Sequence, residues 1–210
     1  KHPKKAVKLT PNTGEPPIYF LIVNDTTLRM VNDSLMEMTT DTSYDIVRMD
    51  HFRGLEAYWS VPYGDTTARG GKWIKGPEMK FISAVKNGLP KLKMIAEDLG
   101  FLTPEVHELL DETGYPGMKV LQFAFDARSD SDYQPHNYGR NCVVYTGTHD
   151  NETLVSWLDA ITRAEMKLVR DYLNDHHTPK RLLNKSLIAL VMRSAAKYCI
   201  IPMQDYLGLD

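Results

Sequence analysis

Short apolar segments that end in acidic or polar residues alternate with segments of helical pattern along most of this chain, and this alternation constrains the fold more than any other feature. The clearest apolar segment, residues 46–50, reads IVRMD and predicts a buried strand that ends in a carboxylate. Polar groups also follow the later apolar segments: Glu97 and Asp98, Asp126, His149 and Asp150, and Gln204 and Asp205. Strands that alternate with helices are typical of a parallel sheet, whose functional side chains lie at the carboxyl ends of its strands. The sequence therefore predicts an α/β fold.

Apolar periodicity and turn residues place the individual elements. The predicted strands are residues 46–50, 91–100, 119–125, 142–146 and 199–203, with a sixth candidate at 19–23. The predicted helices are residues 79–87, 104–113, 154–159, 163–173 and 183–197. The second helix has Thr103 as its N-cap, Pro104 at its first position and Gly114 after its end. A long aromatic and Gly-rich loop is expected at 58–76.

Composition and charge exclude several classes of partner. The 210 residues are 42% hydrophobic and 25% charged, which is an ordinary globular composition, and the formal net charge is -2. This balance supplies no basic field for nucleic acid or for an anionic membrane. The basic start of the chain lacks the apolar region of a signal peptide, and Cys142 and Cys199 are predicted to be buried free thiols in a reducing compartment. We therefore expect a cytoplasmic protein with neutral or small partners, whose oligomeric state is unknown.

Two charged residues share one face of the first predicted strand. Side chains alternate across a strand, so Arg48 and Asp50 point to the same side, whereas Val47 and Met49 point to the other. Burying charges is costly unless they are paired. Either this is a structural ion pair, or an ionised Asp50 is required at this position.

Paired carboxylates are the groups that cleave a sugar acetal. One carboxylic acid protonates the departing oxygen, and one carboxylate takes or stabilises the positive anomeric carbon. Arg48 favours the ionised form of Asp50, whereas Glu97 lacks such a partner and is expected to keep a proton more readily. The two would then serve as nucleophile and acid, and a third acid could bind sugar hydroxyls. The alternative is that these acids form only ion pairs and helix caps.

Aromatic residues in the expected loop suit the apolar faces of sugar rings, although a packed loop explains them equally well: Tyr58, Trp59, Tyr63 and Trp73. His149 beside Asp150 could donate to a sugar hydroxyl, or it could be structural. No zinc spacing, calcium loop, phosphate loop or dinucleotide fingerprint is present, so neither a metal nor a cofactor is predicted.

Six blocks of the sequence resemble motifs of one enzyme family, and they occur in the same order as in that family. They are VRMDHFRGLEAYW at 47–59, GKWIKGPE at 71–78, IAEDLGFLTPEV at 95–106, GMKVLQFAFD at 117–126, PHNY at 135–138 and VVYTGTHDNET at 143–153. The family is that of the 4-alpha-glucanotransferases, also called amylomaltases or disproportionating enzymes. The resemblance covers about residues 44–210, and several blocks are specific to this family.

The resemblance implies a retaining transglycosylase on a (β/α)8 TIM barrel that moves α-1,4-glucan segments between maltooligosaccharides. Asp50 falls on the family's nucleophile, Glu97 on its general acid/base and Asp150 on its transition-state stabiliser. A retaining mechanism requires the Asp50 and Glu97 carboxyls to lie about 5 to 5.5 Å apart. The remaining site residues implied by the resemblance bind or border the substrate: Arg48, His149, Asp98 and Trp59.

The chain departs from the family pattern in three ways. Met49 replaces an Ile or Val, Glu78 stands where Gly is common, and residues 1–43 form a divergent segment that does not match the family. Residues 44–210 are then a partial catalytic barrel with about five or six of the eight strands. Two hypotheses follow: an active 4-alpha-glucanotransferase, or a catalytically inactive truncated fragment that at most binds glucan or associates with another chain.

Overall fold

The computed structural model describes residues 46–126 and 131–210, together with the backbone of two strands before them. The chain divides into two compact units, Lys1–Tyr115 and Pro116–Asp210, which we call unit one and unit two. The predicted divergent segment, residues 1–43, lies outside the described residues except for the two strands Ala6–Leu9 (β1) and Ile18–Leu21 (β2), which pair antiparallel. The sixth strand candidate at 19–23 thus coincides in part with β2.

From residue 46 onward, where the structure describes it, unit one contains a parallel strand pair, an antiparallel hairpin and three α-helices. The parallel pair joins Ile46–Met49 (β3) to Lys93–Ala96 (β6), with Met49 opposite Ala96. The hairpin joins Ala57–Ser60 (β4) to Lys72–Lys75 (β5). The helices are Arg53–Glu56 (α1), Glu78–Gly88 (α2) and Pro104–Thr113 (α3).

Unit two is built on a three-stranded parallel sheet. Its strands, in spatial order, are Gly117–Val120 (β7), Cys142–Tyr145 (β8) and Tyr198–Ile200 (β9). Its helices are Leu154–Ala160 (α4), Arg163–Leu173 (α5), Leu183–Met192 (α6) and Met203–Leu207 (α7). The parallel pairing with intervening helices confirms the α/β class that the sequence predicts.

Each unit has its own apolar core. In unit one, Phe52, Ile82 and Val106 are fully buried and pack with Ala96 and Leu109. In unit two, a larger cluster combines the sheet residue Val144 with side chains from the 3₁₀ helix Leu121–Phe125 and from helices α4, α5 and α6. The helical members that are fully or almost fully buried are Leu154, Leu158, Val169, Leu183, Leu187 and Val191. Unit two is therefore the better packed of the two in the residues described.

Local signals place the helix ends accurately. Helix α3 begins with Pro104 after Thr103, and Gly114 adopts the left-handed conformation (φ 68°) at its end. Helix α5 begins with a complete capping box, in which the Thr162 hydroxyl accepts from the Glu165 N–H and the Glu165 carboxylate accepts from the Thr162 N–H. The sequence predicts the ends of α3 and the start of α5 at Arg163, because such end signals involve residues close in sequence.

Several predicted elements are corrected by the structure. The strand predicted at 199–203 ends at Ile200, and Met203 already belongs to α7. Residues 119–125 do not form one strand, because β7 ends at Val120 and Leu121–Phe125 continue as a 3₁₀ helix. The last long helix ends at Met192 instead of continuing to 197. The loop expected at 58–76 contains the β4–β5 hairpin, in which Trp59 lies opposite Trp73.

The two exceptional residues of the GKWIKGPE block lie where the chain turns from β5 into α2. A Cβ on Gly76 would lie 2.1 Å from the Leu55 carbonyl oxygen, so only glycine fits at this close backbone approach. Glu78, at the position where the family commonly has Gly, adopts a left-handed backbone with φ 44°. Its carboxylate lies 2.7 Å from Lys75 Nζ, and hydrogen bonds to Glu78 and Glu56 raise the pKa of Lys75.

The cysteines and the helix lengths complete the comparison with the sequence. Cys142 is buried and its thiol donates to the Gly139 carbonyl, whereas Cys199 is exposed, so the prediction of two buried thiols is wrong for Cys199. Both are unpaired. Within the described residues, no helix combines the length and the apolar character that are needed to span a membrane. The described strands do not close into a barrel.

Candidate functional site

Asp50 lies in the turn immediately after β3, with Arg48 beside it. The Arg48 Nη2 and Asp50 Oδ1 atoms are 2.8 Å apart, as expected for two residues on one strand face. The strand is half-buried, contrary to the buried strand that the sequence predicts, and 64% of the Asp50 side chain is exposed. An ion pair this open contributes only about 0 to 1 kcal/mol to stability, so a structural role accounts poorly for it.

Glu97 follows β6 and lies beside the turn that carries Asp50. The Glu97 N–H donates to the Met49 carbonyl at 2.8 Å, and the Phe52 N–H donates to the Glu97 carbonyl at 2.9 Å. Because Met49 pairs with Ala96 and the strands are parallel, Asp50 and Glu97 follow adjacent strand ends at the same edge of the sheet. The structure thus brings these two predicted catalytic residues together.

Two backbone amides hold the Glu97 carboxylate. The His51 N–H donates to Oε2 at 2.7 Å, and the Leu99 N–H donates to Oε1 at 2.9 Å. The partners are main-chain groups instead of a cation, and a charge pattern in the sequence does not reveal them.

His51 is the residue that connects the two acids. Its backbone is left-handed, with φ 51°, a conformation that a non-glycine residue seldom adopts and that is often found at functional sites. This conformation accompanies the bond from its N–H to Glu97. Burial lowers the pKa of the His51 imidazole, while the nearby Glu97 and Asp50 carboxylates act in the opposite direction.

The other two predicted substrate-binding residues of unit one are partly or fully covered. Asp98 is buried. Trp59 is half-buried, its indole N–H donates to the Ala68 carbonyl at 2.8 Å, and its ring meets that of Trp73 edge to face at 5.4 Å. Trp59 therefore fits the alternative that these aromatic residues pack within the loop, whereas Trp73 and Tyr63 are exposed.

Arg53 and Phe101 form a further cluster beside Trp73 that the sequence pattern does not reveal. The Arg53 guanidinium lies 4.4 Å from the Trp73 ring centroid and 6.0 Å from that of Phe101, and Arg53 Nη1 donates to the Phe101 carbonyl. Cation and ring contacts of this kind fix the orientation of a guanidinium. The RG pair after DHF is the only sequence signal for it, and that signal is weak.

His149 and Asp150 lie in unit two, on the loop of residues 147–153 that connects β8 to α4. The His149 Nε2 and Asp150 Oδ1 atoms are 3.3 Å apart, and both side chains are more than two-thirds exposed. Within the loop, Asn151 Oδ1 accepts from both the backbone N–H and the hydroxyl of Thr148, at 2.9 and 2.8 Å. The Thr148 hydroxyl in turn accepts from the Asp150 N–H at 3.3 Å. The structure brings these two predicted site residues together.

Side chains from outside the loop also hold it. Asp205 is buried, accepts from the Thr146 hydroxyl at 2.5 Å and accepts from the Leu154 N–H at 2.7 Å. Gln122 Nε2 donates to the Glu152 carbonyl at 2.7 Å. The sequence identifies Asp205 as a polar residue at a strand end. In the structure Asp205 lies on α7, and its carboxylate accepts from Thr146 and Leu154.

A cavity of about 290 Å³ in unit two does not include any of the predicted site residues. Its lining residues are Gln122, Phe123, Phe125, Asp126, Trp157, Ile161 and Glu165. Over the part of the chain that the structure describes, no three His, Cys, Asp or Glu side chains are grouped so that they could hold a metal ion.

Comparison with known proteins gives consistent results. The family model described as 4-alpha-glucanotransferase matches residues 33–210. The 4-alpha-glucanotransferase of Clostridium butyricum is 49% identical over 167 residues, which are 79% of this chain and 34% of that protein. The enzyme of the same name from Streptococcus pneumoniae is 46% identical over 168 residues, which are 80% of this chain and 33% of that protein. The chain thus spans about a third of the length of these curated relatives.

Solved structures show the same likeness. The amylomaltase from Streptococcus agalactiae in complex with acarbose matches with a TM-score of 0.79 and 28% identity, over 97% of this chain and 42% of that one. The amylomaltase from Corynebacterium glutamicum matches with a TM-score of 0.66 at 16% identity, over 93% of this chain and 34% of that one, which supports the fold alone.

Proposed function

The chain belongs to the 4-alpha-glucanotransferase family, and on that premise we propose that it transfers α-1,4-glucan segments between maltooligosaccharides by a retaining double displacement. The observation that carries this proposal is the pairing of β3 with β6, which puts Asp50 and Glu97 at adjacent parallel strand ends joined through the His51 N–H. Two carboxyl groups on neighbouring strand ends are the arrangement that a retaining glycosidic mechanism uses.

In the first step, a carboxylate oxygen of Asp50 bonds to the anomeric carbon while the bond from that carbon to the glycosidic oxygen breaks. Glu97 gives its proton to the departing oxygen. In the second step, an acceptor hydroxyl gives its proton to Glu97, its oxygen bonds to the anomeric carbon and the ester to Asp50 breaks. Transfer prevails over hydrolysis when the acceptor sugar reaches the glucosyl ester before water does.

Arg48 and the backbone amides have distinct parts in these steps. The Arg48 guanidinium, 2.8 Å from Asp50, balances the charge of the nucleophile before attack. Both Glu97 oxygens accept hydrogen bonds from amide N–H groups. The oxygen that carries the proton is a weaker acceptor than a carboxylate oxygen. We therefore expect one of these two bonds to open each time Glu97 carries the proton.

Asp150 is proposed to stabilise the positive charge at the anomeric carbon, and His149 to contact sugar hydroxyls. Asp98 and Trp59 are proposed to border the substrate. In this proposal residues 44–210 contribute five or six strands to a (β/α)8 barrel. The divergent segment expected at residues 1–43 is limited to residues 1–32, since the family match begins at residue 33. The proposed compartment is the cytoplasm, in keeping with two cysteines that form no disulfide.

A second function is an inactive fragment that binds glucan or associates with another chain. The end of unit two favours it, because α7 and the residues beside it expose the large side chains of Met203, Tyr206, Leu207 and Leu209. Adjacent apolar side chains at a surface are typical of a contact with another protein surface.

Incubation with maltotriose distinguishes the two functions. The transferase yields glucose together with longer oligomers, and the inactive fragment yields neither although it is folded. Asp50→Asn should abolish the transfer with little change in circular dichroism, and Glu97→Gln should also abolish it. Asp111→Asn, an exposed acid on α3, is the matched control and should transfer like the parent chain. Undiminished transfer by Asp50→Asn would remove the nucleophile assignment.

A further inference from the structure

We propose that Asp205 is a positioning residue for the loop of residues 147–153, and that it acts on the reaction through Asp150. The inference rests on the proposed function, since it concerns the loop that carries the third proposed carboxylate. The geometry behind it is the closure of both ends of that loop on a single buried side chain.

The two oxygens of Asp205 bind the two ends of the loop. Oδ2 accepts from the Thr146 hydroxyl, which directly precedes the loop, and Oδ1 accepts from the Leu154 N–H, which directly follows it. The distances are 2.5 and 2.7 Å, and the exposed fractions of Asp205 and Thr146 are 1% and 0%. A buried carboxylate is costly unless it is hydrogen-bonded, so these bonds are strongly favoured over open alternatives.

The partners of Asp205 explain why the bonds hold one conformation. The Leu154 N–H is at the first turn of α4, where backbone amides have no partner inside the helix. Thr153 caps the same helix by accepting from the Ser156 N–H. Asn184 Nδ2 donates to the Asp205 carbonyl at 3.0 Å and so anchors α7 independently of the carboxylate.

The orientation of Asp150 depends on this support. Its side chain is exposed and its ion-pair partner is the equally exposed His149, so the direction of the carboxylate follows from the loop backbone. That backbone is fixed inside the loop by Asn151 and at Glu152 by Gln122, and at both ends by Asp205. If both ends of the loop were released, its internal hydrogen bonds would no longer hold Asp150 in a fixed position relative to the rest of unit two.

The first experiment measures amide hydrogen exchange by NMR in the whole chain. Asp205→Asn keeps the size of the side chain but turns one acceptor into a donor that faces Thr146 or Leu154. Exchange at residues 148–152 should accelerate about tenfold or more, the factor expected for the loss of one charged hydrogen bond. Amides of the β8 core, such as that of Val144, should change less than about twofold.

Three further variants separate positioning from general stability. Thr146→Val removes the donor and should reproduce the effect even if Asp205→Asn fails to fold, whereas Thr146→Ser keeps the hydroxyl and should retain the exchange pattern of the parent chain. Asn184→Ala removes the hydrogen bond to the Asp205 carbonyl and so weakens the anchoring of α7, but it leaves both bonds of the Asp205 carboxylate in place. Equal loop exchange in Asn184→Ala and Thr146→Val, or unchanged loop exchange in Thr146→Val, would overturn the proposal.

The second experiment measures transfer from maltotriose. Thr146→Val should lower kcat about tenfold with KM changed less than about twofold, because Asp150 acts in the transition state. Thr146→Ser should restore kcat. A fall in kcat accompanied by uniformly faster exchange across unit two would indicate only loss of fold and would contradict the inference. A parent chain that transfers nothing refutes the proposed function, while the exchange experiment still decides whether Asp205 holds the loop.

Discussion

The two places that carry the proposed carboxylates are held by different kinds of bond. In unit one, the Glu97 carboxylate accepts from main-chain amides, one of them in the strained turn at His51. In unit two, the Asp150 loop is held at its ends by the buried side chain of Asp205. The first arrangement depends on backbone conformation, because its donors are main-chain groups that are present whatever the side chain. The second depends on one carboxylate and is sensitive to a single substitution.

The two units also differ in the size of their buried apolar clusters. Unit one has a core cluster of five buried residues around Phe52, and unit two has thirteen, drawn mainly from its sheet, from the 3₁₀ helix Leu121–Phe125 and from three of its α-helices. A larger buried apolar cluster contributes more to stability, in proportion to the area removed from water. We therefore expect the geometry of unit two to rest on packing, and that of unit one to rest on close backbone contacts.

The largest effect should come from opening the core of unit two. Leu187 is fully buried in the larger cluster, and Leu187→Ala should lower the free energy of unfolding by about 2 to 5 kcal/mol. Urea unfolding followed by circular dichroism measures it. Leu168→Ala on the exposed side of α5 is the control, with an expected loss below about 0.5 kcal/mol. Similar losses in both variants would show that the cluster is not the source of stability.

The next effect should come from the close backbone approach in unit one. A Cβ at residue 76 would lie 2.1 Å from the Leu55 carbonyl oxygen, so Gly76→Ala should cost about 1 to 3 kcal/mol through displacement of the hairpin. Gly139→Ala is the matched control, because its added Cβ meets no atom within 4 Å. If both variants unfold at the urea concentration of the parent chain, unit one does not depend on this contact.

Helix caps should give a smaller effect that again differs between the units. Thr162 in unit two belongs to a capping box, and Thr162→Ala should cost about 1 kcal/mol. Thr103 in unit one makes no side-chain cap hydrogen bond to α3, so Thr103→Ala should cost less than half as much. The comparison is made by thermal unfolding of both variants, and a greater loss in Thr103→Ala would reverse it.

The smallest effect concerns pH and the turn at His51. Because burial lowers its pKa below the ordinary value of 6.5, the unfolded chain binds this proton more readily than the folded chain does. The contribution of His51 to stability is thus complete above pH 6.5 and declines as the pH falls below it.

His51→Asn isolates this contribution, since Asn keeps the N–H and tolerates a left-handed backbone. The loss of unfolding free energy between neutral and mildly acidic pH should be smaller in the variant than in the parent chain, as measured by urea unfolding at several pH values. An identical pH dependence in both proteins would contradict a role for the buried imidazole.

The sequence by itself determined the α/β class, the helix starts at Pro104 and Arg163, and the pairing of Arg48 with Asp50. These features follow from contacts between residues a few positions apart, or from one period of a strand or helix. The sequence did not determine that β7 ends at Val120, because an apolar run of that length suits a strand and a buried turn equally well.

Only the tertiary structure decided what holds the acids in place. The amide that binds Glu97 Oε2 comes from a residue 46 positions away, and the hydroxyl that binds Asp205 comes from one 59 positions away. Main-chain donors are present at almost every residue, so sequence text cannot show which of them meets a given carboxylate. Strand pairing and core packing select these partners, because they fix which strand ends lie side by side.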